Sequence, residues 1–258
     1  DMGFAAGEAE APVGGQKIVI YDLATGEVVR RIPLDDVADR EGSFLNDIAV
    51  DETRKLAFIS DSGFRSAPDN MTGIITYDFA SGAVGRVLDR DASVQIDVNA
   101  PVTSHGKPVW DGSPLLIGIN GIALSADGAT LYWTVTTGNA LYSAPTAALT
   151  DPALTDALRA KQVRKVADLG FSTDGIMVDA SGAVLITNVS GNGIASVDPA
   201  SGTVSMIAAN EGVWWPDTVT AMPDGAIAFT SSNTSDHFAG AVKAGEERYK
   251  IWRIEPQN

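Results

Sequence analysis

The chain contains no cysteine and only two histidines, His105 and His237. Without thiols there is no disulfide, no zinc–thiolate site and no cysteine nucleophile. That composition fits the cytoplasm and a secreted protein equally. Both histidines fall in long, loop-like segments, which argues against a Ser-His-Asp triad. No G-x-S-x-G elbow, Walker loop, dinucleotide fingerprint or H-E-x-x-H helix occurs. Cations are also scarce, with 18 Lys and Arg against 33 Asp and Glu and a net charge of −15. Such a surface repels phosphate backbones and anionic lipids, so neither nucleic acid nor membrane is an expected partner. No apolar run is long enough to span a bilayer, and no basic–apolar–small leader opens the sequence. Yet 45% of the 258 residues are hydrophobic, enough for the core of one domain over residues 1–258.

What is abundant is repetition. Ile18-Val19-Ile20-Tyr21-Asp22 leads through Leu23-Ala24-Thr25-Gly26 into a second apolar run. Ile74–Asp78 with Phe79–Gly82 and Ile194–Asp198 with Pro199–Gly202 repeat the pattern. Each reads as strand, tight turn, strand: Asp can accept hydrogen bonds from its own turn, and Gly supplies positive φ. A second unit precedes these hairpins. Asn46-Asp47-Ile48-Ala49-Val50, Asn120-Gly121-Ile122-Ala123-Leu124, Asp174-Gly175-Ile176-Met177-Val178 and Asp217-Thr218-Val219-Thr220-Ala221 each lead through a polar turn to another strand. One unit is thus a polar anchor followed by four antiparallel strands, which is a β-propeller blade.

The expected fold is all-β, a six-bladed propeller with blades at 44–89, 118–168, 172–208 and 215–255 and a half blade at 17–34. The sequence starts in mid-blade by this alignment. About one and a half N-terminal blades, roughly 60–100 residues at the usual blade size, are expected to be absent from it. Residues 89–116 and 231–249 break the rhythm as long insertions, and 145–161 reads as a short helix.

The innermost strand of each blade lines the axis, so the residues before it sit at the rim of a central channel. Asn46, Asn120, Asp174 and Asp217 share that position although consecutive ones are 43 to 74 residues apart. An isolated Asn or Asp there would do no more than satisfy turn backbone. Four at one repeated position favour a shared site. Their oxygens suit a hard divalent cation such as Ca2+, with Asn46, Asn120 and Asp174 as ligands. Asp174 and Asp217 are the candidate proton carriers. Asp47 either joins this set or turns outward to bind backbone. A second polar ring, Ser60-Asp61, Thr134, Thr187-Asn188 and Thr230-Ser231-Ser232-Asn233, ends the second strands. It serves hairpin chemistry or the channel, with Asp61 and Asn188 its best ligand-binding candidates. Phe44, Phe171, Trp214 and Trp215 stand close to anchors and are candidate walls for a small aromatic or amine ligand, or else blade packing.

Phe44–Asp51, Ile59–Gly63, Gly118–Ser125, Leu131–Trp133, Thr173–Gly175 and Trp215–Thr218 together resemble the Yellow/major royal jelly protein family, in its bacterial-type form. The resemblance runs from about residue 17 to the end. It implies a six-bladed, usually secreted propeller, in a family of dopachrome-converting enzymes, pigmentation and food proteins, and amine binders. A more distant similarity is to the senescence marker protein/gluconolactonase family. There a divalent metal is held by Glu, two Asn and Asp at blade entries. Asn46, Asn120 and Asp174 match the last three, and the Glu would precede this sequence.

Three readings stay open. One is a metal-dependent enzyme acting on a lactone or a dopachrome-like quinone. Another is a non-catalytic binder of biogenic amines or other small aromatics. The third is a storage protein with a vestigial channel. A small molecule is the expected partner and a secreted or periplasmic location is expected. The residues give no oligomeric state.

Overall fold

The computed structural model describes residues 1–5, 7–109 and 113–256. Trp110, part of the first long insertion, lies outside the described residues. The chain opens with an antiparallel ladder of β1 (Lys17–Tyr21) and β2 (Val28–Pro33). Three four-stranded antiparallel blades follow. The first holds β3 (Leu45–Asp51), β4 (Leu56–Asp61), β5 (Gly73–Asp78) and β6 (Val84–Val87). A small hairpin, β7 (Thr103–Ser104) with β8 (Lys107–Pro108), lies in the first insertion. The second blade holds β9 (Ile119–Leu124), β10 (Thr130–Val135), β11 (Ala140–Pro145) and, after the short helices α1 (Thr146–Thr150) and α2 (Asp156–Ala160), β12 (Arg164–Asp168). The third holds β13 (Ile176–Val178), β14 (Val184–Asn188), β15 (Gly193–Asp198) and β16 (Thr203–Ala209). The last has three strands: β17 (Pro216–Ala221), β18 (Ile227–Ser231) and, beyond helix α3 (Thr234–Phe238), β19 (Lys250–Ile254). This is an all-β propeller of four blades with a leading ladder. The single helix expected over 145–161 is two, broken near Pro152, which cannot donate a helical N–H.

The turns form as their residues dictate. Asp78 Oδ1 accepts the N–H of Ala80 at 2.7 Å, and Gly82 closes the turn at φ +77°. Asp22 with Gly26 and Asp198 with Gly202 repeat this arrangement.

Packing between blades supplies the core. Successive strand residues point to opposite faces, so each sheet buries two surfaces. Leu131 and Trp133 on β10 pack toward Phe58 and Ile74 of the first blade. Tyr132, between them, packs toward Ile176, Val184 and Ile186 of the third. Leu185 and Ile194 then meet Val219 and Phe229 of the last blade. Ile32 and Ile18 of the ladder cover Ala57 and Tyr77.

One buried ion pair ties the first blade together. Asp61 is fully buried, and its carboxylate accepts from Ser43 Oγ, from the N–H of Phe44 at 2.9 Å and Gly63 at 3.1 Å, and from Arg86 Nη1 at 2.8 Å. Arg86 also donates to the carbonyls of Val37 (3.1 Å) and Met71 (2.7 Å). Asp61, expected at the channel, is therefore a structural carboxylate turned into its own blade. Removing it leaves the largely buried Arg86 guanidinium with only the half-exposed Asp89, at 2.5 Å, as counter-ion. Asp61→Ala is expected to destabilise the protein by about 3–5 kcal/mol in denaturant unfolding. A loss under about 1 kcal/mol, the value of an exposed pair, would contradict this placement.

Candidate functional site

The entries to three of the four first strands share a backbone irregularity. On β3, Leu45 pairs with Asp61 and Ile48 with Ile59, so Asn46 and Asp47 together face Ser60. On β9, Asn120 and Gly121 face Thr134. On β17, Asp217 and Thr218 face Thr230. Two residues against one make a bulge, which bends the strand and re-aims its side chains. A hydroxyl residue stands opposite each bulge and closes it in the first and last blades, and Thr187 plays the same part at the unbulged entry of the third. Ser60 Oγ accepts the Asp47 N–H at 2.9 Å, Thr187 Oγ1 that of Asp174 at 2.9 Å, and Thr230 Oγ1 that of Thr218 at 3.1 Å. This is the physical role of the second polar ring. Three of its hydroxyls clasp the strand entries, that of Thr134 is buried without a partner among the described residues, and none of them lines the cavity. The repeated Ser or Thr opposite each anchor was visible in the sequence, and its clasping role was not drawn from it.

Neighbouring blades approach closely at these entries. The Gly175 N–H donates to the Asp217 carbonyl at 3.0 Å, and a Cβ on Gly175 would stand 2.4 Å from that oxygen. A Cβ on Gly121 would likewise stand 2.4 Å from the Asp174 carbonyl. In the first blade Asp47 occupies the equivalent position. Its carboxylate reaches across to the N–H of Ile122 at 3.1 Å and caps that of Ile48 at 2.8 Å.

The anchors line a common cavity of about 320 Å³ with Asp47, Gly175, Thr218 and the residues two further along each strand, Ile48, Ile122, Ile176 and Val219. A chain of hydrogen bonds orders its wall. Asn120 Nδ2 donates to Thr136 Oγ1 at 2.8 Å and to Asp174 Oδ1 at 2.6 Å. Trp215 Nε1 donates to Asp174 Oδ2 at 2.5 Å. With its amide nitrogen committed twice, Asn120 keeps its oxygen as an unused acceptor. Asn46 is exposed and has no side-chain hydrogen bond among the described residues.

The electrostatics are one-sided, since no Lys, Arg or His lines the cavity. Burial, then the charges of Asp217 and Asp47, push the Asp174 carboxyl up to about 7 against the opposing hydrogen bonds from Trp215 and Asn120. Burial and Asp217 raise Asp47 against the N–H groups of Ile122 and Ile48. Asp217 is more open to solvent, and the protein packed around its carboxyl raises it too, against its hydrogen bond with Thr218. Three carboxylates without a counter-ion form a site that a cation would relieve. The donors are all oxygen, which fits a hard divalent ion by chemistry. Among the described residues no three His, Asp or Glu side chains converge as a metal cluster. A bound ion would therefore depend on the amide oxygens of Asn46 and Asn120 beside Asp174.

The other expected ligand-binding residues stand elsewhere. Asn188 accepts the N–H of Gly191 at 2.6 Å and serves its own turn. Phe171 packs against the cluster shared by the second and third blades. Trp214 stacks on His105 at 4.0 Å between ring centroids, with the Arg248 guanidinium 4.6 Å from its ring centre. Phe44 contacts Phe4 and Phe64. Only Trp215 touches an anchor, and no aromatic ring lines the cavity among the described residues. The sequence reading missed Thr136, Gly121 and Gly175. The two glycines recur directly after an anchor, a signal that alignment of the repeats carries.

Comparison with known proteins adds the following. The family profile described as major royal jelly protein matches residues 6–258. No curated protein matches the chain by sequence. Among solved structures it is similar to one titled as a nidogen/laminin complex, with TM-score 0.57 and 15% identity, covering 86% of this chain and 68% of that one. It is similar to the calcium-binding protein regucalcin from Agrobacterium tumefaciens, with TM-score 0.53 and 19% identity, covering 82% and 60%. It is also similar to a gluconolactonase from Xanthomonas campestris, with TM-score 0.51 and 18% identity, covering 86% and 68%. At these identities the likeness is one of fold. No helix among the described residues is long and apolar enough to cross a membrane.

The close approach of the blades is directly testable. Gly175→Ala forces a methyl group into the Asp217 carbonyl and is expected to cost about 1–3 kcal/mol in chemical denaturation. Unchanged stability would show that the blades do not meet backbone to backbone at the anchors.

Proposed function

The chain belongs to the major royal jelly protein family, and from that premise we propose that its axial cavity binds a divalent cation, Ca2+ for preference, and hydrolyses a small neutral cyclic ester of the lactone class. The observation that carries this is the Asp174 carboxylate, fixed at both oxygens in a cavity with three carboxylates and no cationic side chain. The four blades and the leading ladder then belong to a six-bladed ring, as the family resemblance implies, and the protein works outside the cytoplasm. The regucalcin and gluconolactonase likenesses, a calcium-binding protein and a lactonase by name, agree with this choice.

Asn46, Asn120 and Asp174 would hold the ion. When bound, it would polarise the ester carbonyl and stabilise developing negative charge on its oxygen. Asp217, open to solvent and with Thr218 at 3.3 Å as the one partner of its carboxylate among the described residues, takes the proton from the attacking water. Ile48, Ile122, Ile176 and Val219 offer apolar wall to the ring carbons. The negative cavity disfavours an anionic ester. A binder of aromatic amines would want rings on this wall, and none stands there among the described residues.

Calorimetric titration of the full chain with Ca2+ and Mn2+ tests the reading. Asp174→Ala is expected to abolish binding and lactone turnover, while Asp217→Ala keeps binding and loses most of the turnover, on the order of 10²–10⁴-fold. No divalent-ion binding by the wild type, or full lactone turnover by Asp174→Ala, would refute it.

The pH dependence has a definite sign. A proton on Asp174 competes with the cation, so affinity falls as pH drops below about 7, by about tenfold per unit for one competing proton. Above about 7 it levels off. Proton release on binding, read from the heat in buffers of different ionisation enthalpy, should therefore be largest below pH 7.

A further inference from the structure

We propose that Trp215 is the positioning residue of the axial site, its indole N–H fixing the Asp174 carboxylate while an aromatic chain clamps its ring from the opposite side. The inference rests on the reading that Asp174 holds a cation, and extends it to a residue outside the cavity wall.

Three observations converge on Trp215. Its ring is buried, at 1% exposure, yet its one polar atom is spent on a carboxylate oxygen and not on backbone. A buried indole needs an acceptor for its N–H. Choosing Asp174 Oδ2, while Asn120 takes Oδ1, leaves that carboxylate a single orientation. Its backbone sits at φ +37°, left-handed space that bulky residues seldom enter. Strain of this kind persists where surrounding structure over-determines it, as at functional sites.

The surroundings do so here. Phe4, Phe44, Phe64, Phe238 and Trp215 form a continuous series of ring contacts, with successive centroids 6.2, 5.7, 6.1 and 6.0 Å apart. Val102, Val109, Leu115 and Ile117 from the first insertion and Val189 from the third blade close around the same ring. These segments either lead into a first strand or leave a second strand, so they share one face of the propeller. They make an apolar roof over the anchors, and the cavity runs the other way, toward Ile48, Ile122, Ile176 and Val219. Phe44, read from the sequence as a ligand wall, belongs to this roof. A tryptophan that merely filled it could be replaced by phenylalanine without consequence at Asp174.

Trp215→Phe makes that replacement, keeping a ring and deleting the N–H. In calorimetric titration of the full chain with Ca2+, it is expected to weaken binding about 10–100-fold, the usual effect of losing an outer partner of a metal ligand, with little change in the thermal midpoint. A second measurement needs no Trp215 variant. The chain has five tryptophans, and the indole N–H resonance of Trp215, assigned through bonds in a ¹⁵N-labelled sample, should be strongly downfield and move upfield in Asp174→Ala. Wild-type Ca2+ affinity in Trp215→Phe would overturn the proposal. So would an indole resonance indifferent to Asp174→Ala. If the wild type binds no divalent ion, the cation reading fails by itself, and the indole resonance alone decides whether Trp215 holds Asp174.

Discussion

The arrangement depends on backbone contact between neighbouring blades at the start of their first strands. Blades can converge on an axis only if something small or polar stands where they meet. Gly175 donates to the Asp217 carbonyl, and Gly121 leaves room for the Asp174 carbonyl. Asp47, lacking that smallness, reaches over and accepts from Ile122 with its side chain. Ser60 and Thr230 hold the bulges of the first and last blades in shape, and Thr187 holds the entry of the third. Because the anchors sit at these entries, the contact that joins neighbouring blades also turns Asp174 and Asp217 toward one cavity. Fold and site share one device.

The blades were legible in the sequence because their signals are local. Alternating strands, Asp-to-Gly turns and a polar residue at a fixed offset all repeat within a single unit, so aligning units exposes them. The gathering of Asn46, Asn120, Asp174 and Asp217 follows from that alignment without side-chain detail. What did not follow was long-range. Asp61 resembles an anchor-side acid, and its true partner, Arg86, lies 25 positions away on the outermost strand of the same blade. Nothing near Asp61 announces that a guanidinium is buried against it. The roof was hidden for the same reason. Phe64 and Phe238 follow second strands in different blades, and only the packing of the blades brings them to Trp215.

The division of labour among the acids comes from environment and not residue type. Asp61 and Asp174 both lie deep in the protein. Asp61 meets a guanidinium and three further donors. Asp174 meets an amide and an indole, both neutral, and burial, together with two more carboxylates facing it, lifts it to about 7. Neutral donors orient a carboxylate without neutralising it. That combination suits a ligand site, because it leaves charge to be satisfied by whatever enters.

Both the charge left on Asp174 and the left-handed backbone of Trp215 are locally unfavourable. Each taken alone would relax, the acid by turning to solvent and the tryptophan by shifting to an extended backbone. Neither relaxation is local, however. Turning Asp174 breaks its bonds to Asn120 and Trp215, and Asn120 is itself held by Thr136 in the second blade. Shifting Trp215 pulls its ring out of contacts made by both insertions and the third blade. Close-packed interiors resist such partial moves, since one displaced ring leaves voids that its neighbours cannot fill. The long insertions, which contribute no blade strand, thus act on the axis from outside by making the strained arrangement the only one that packs.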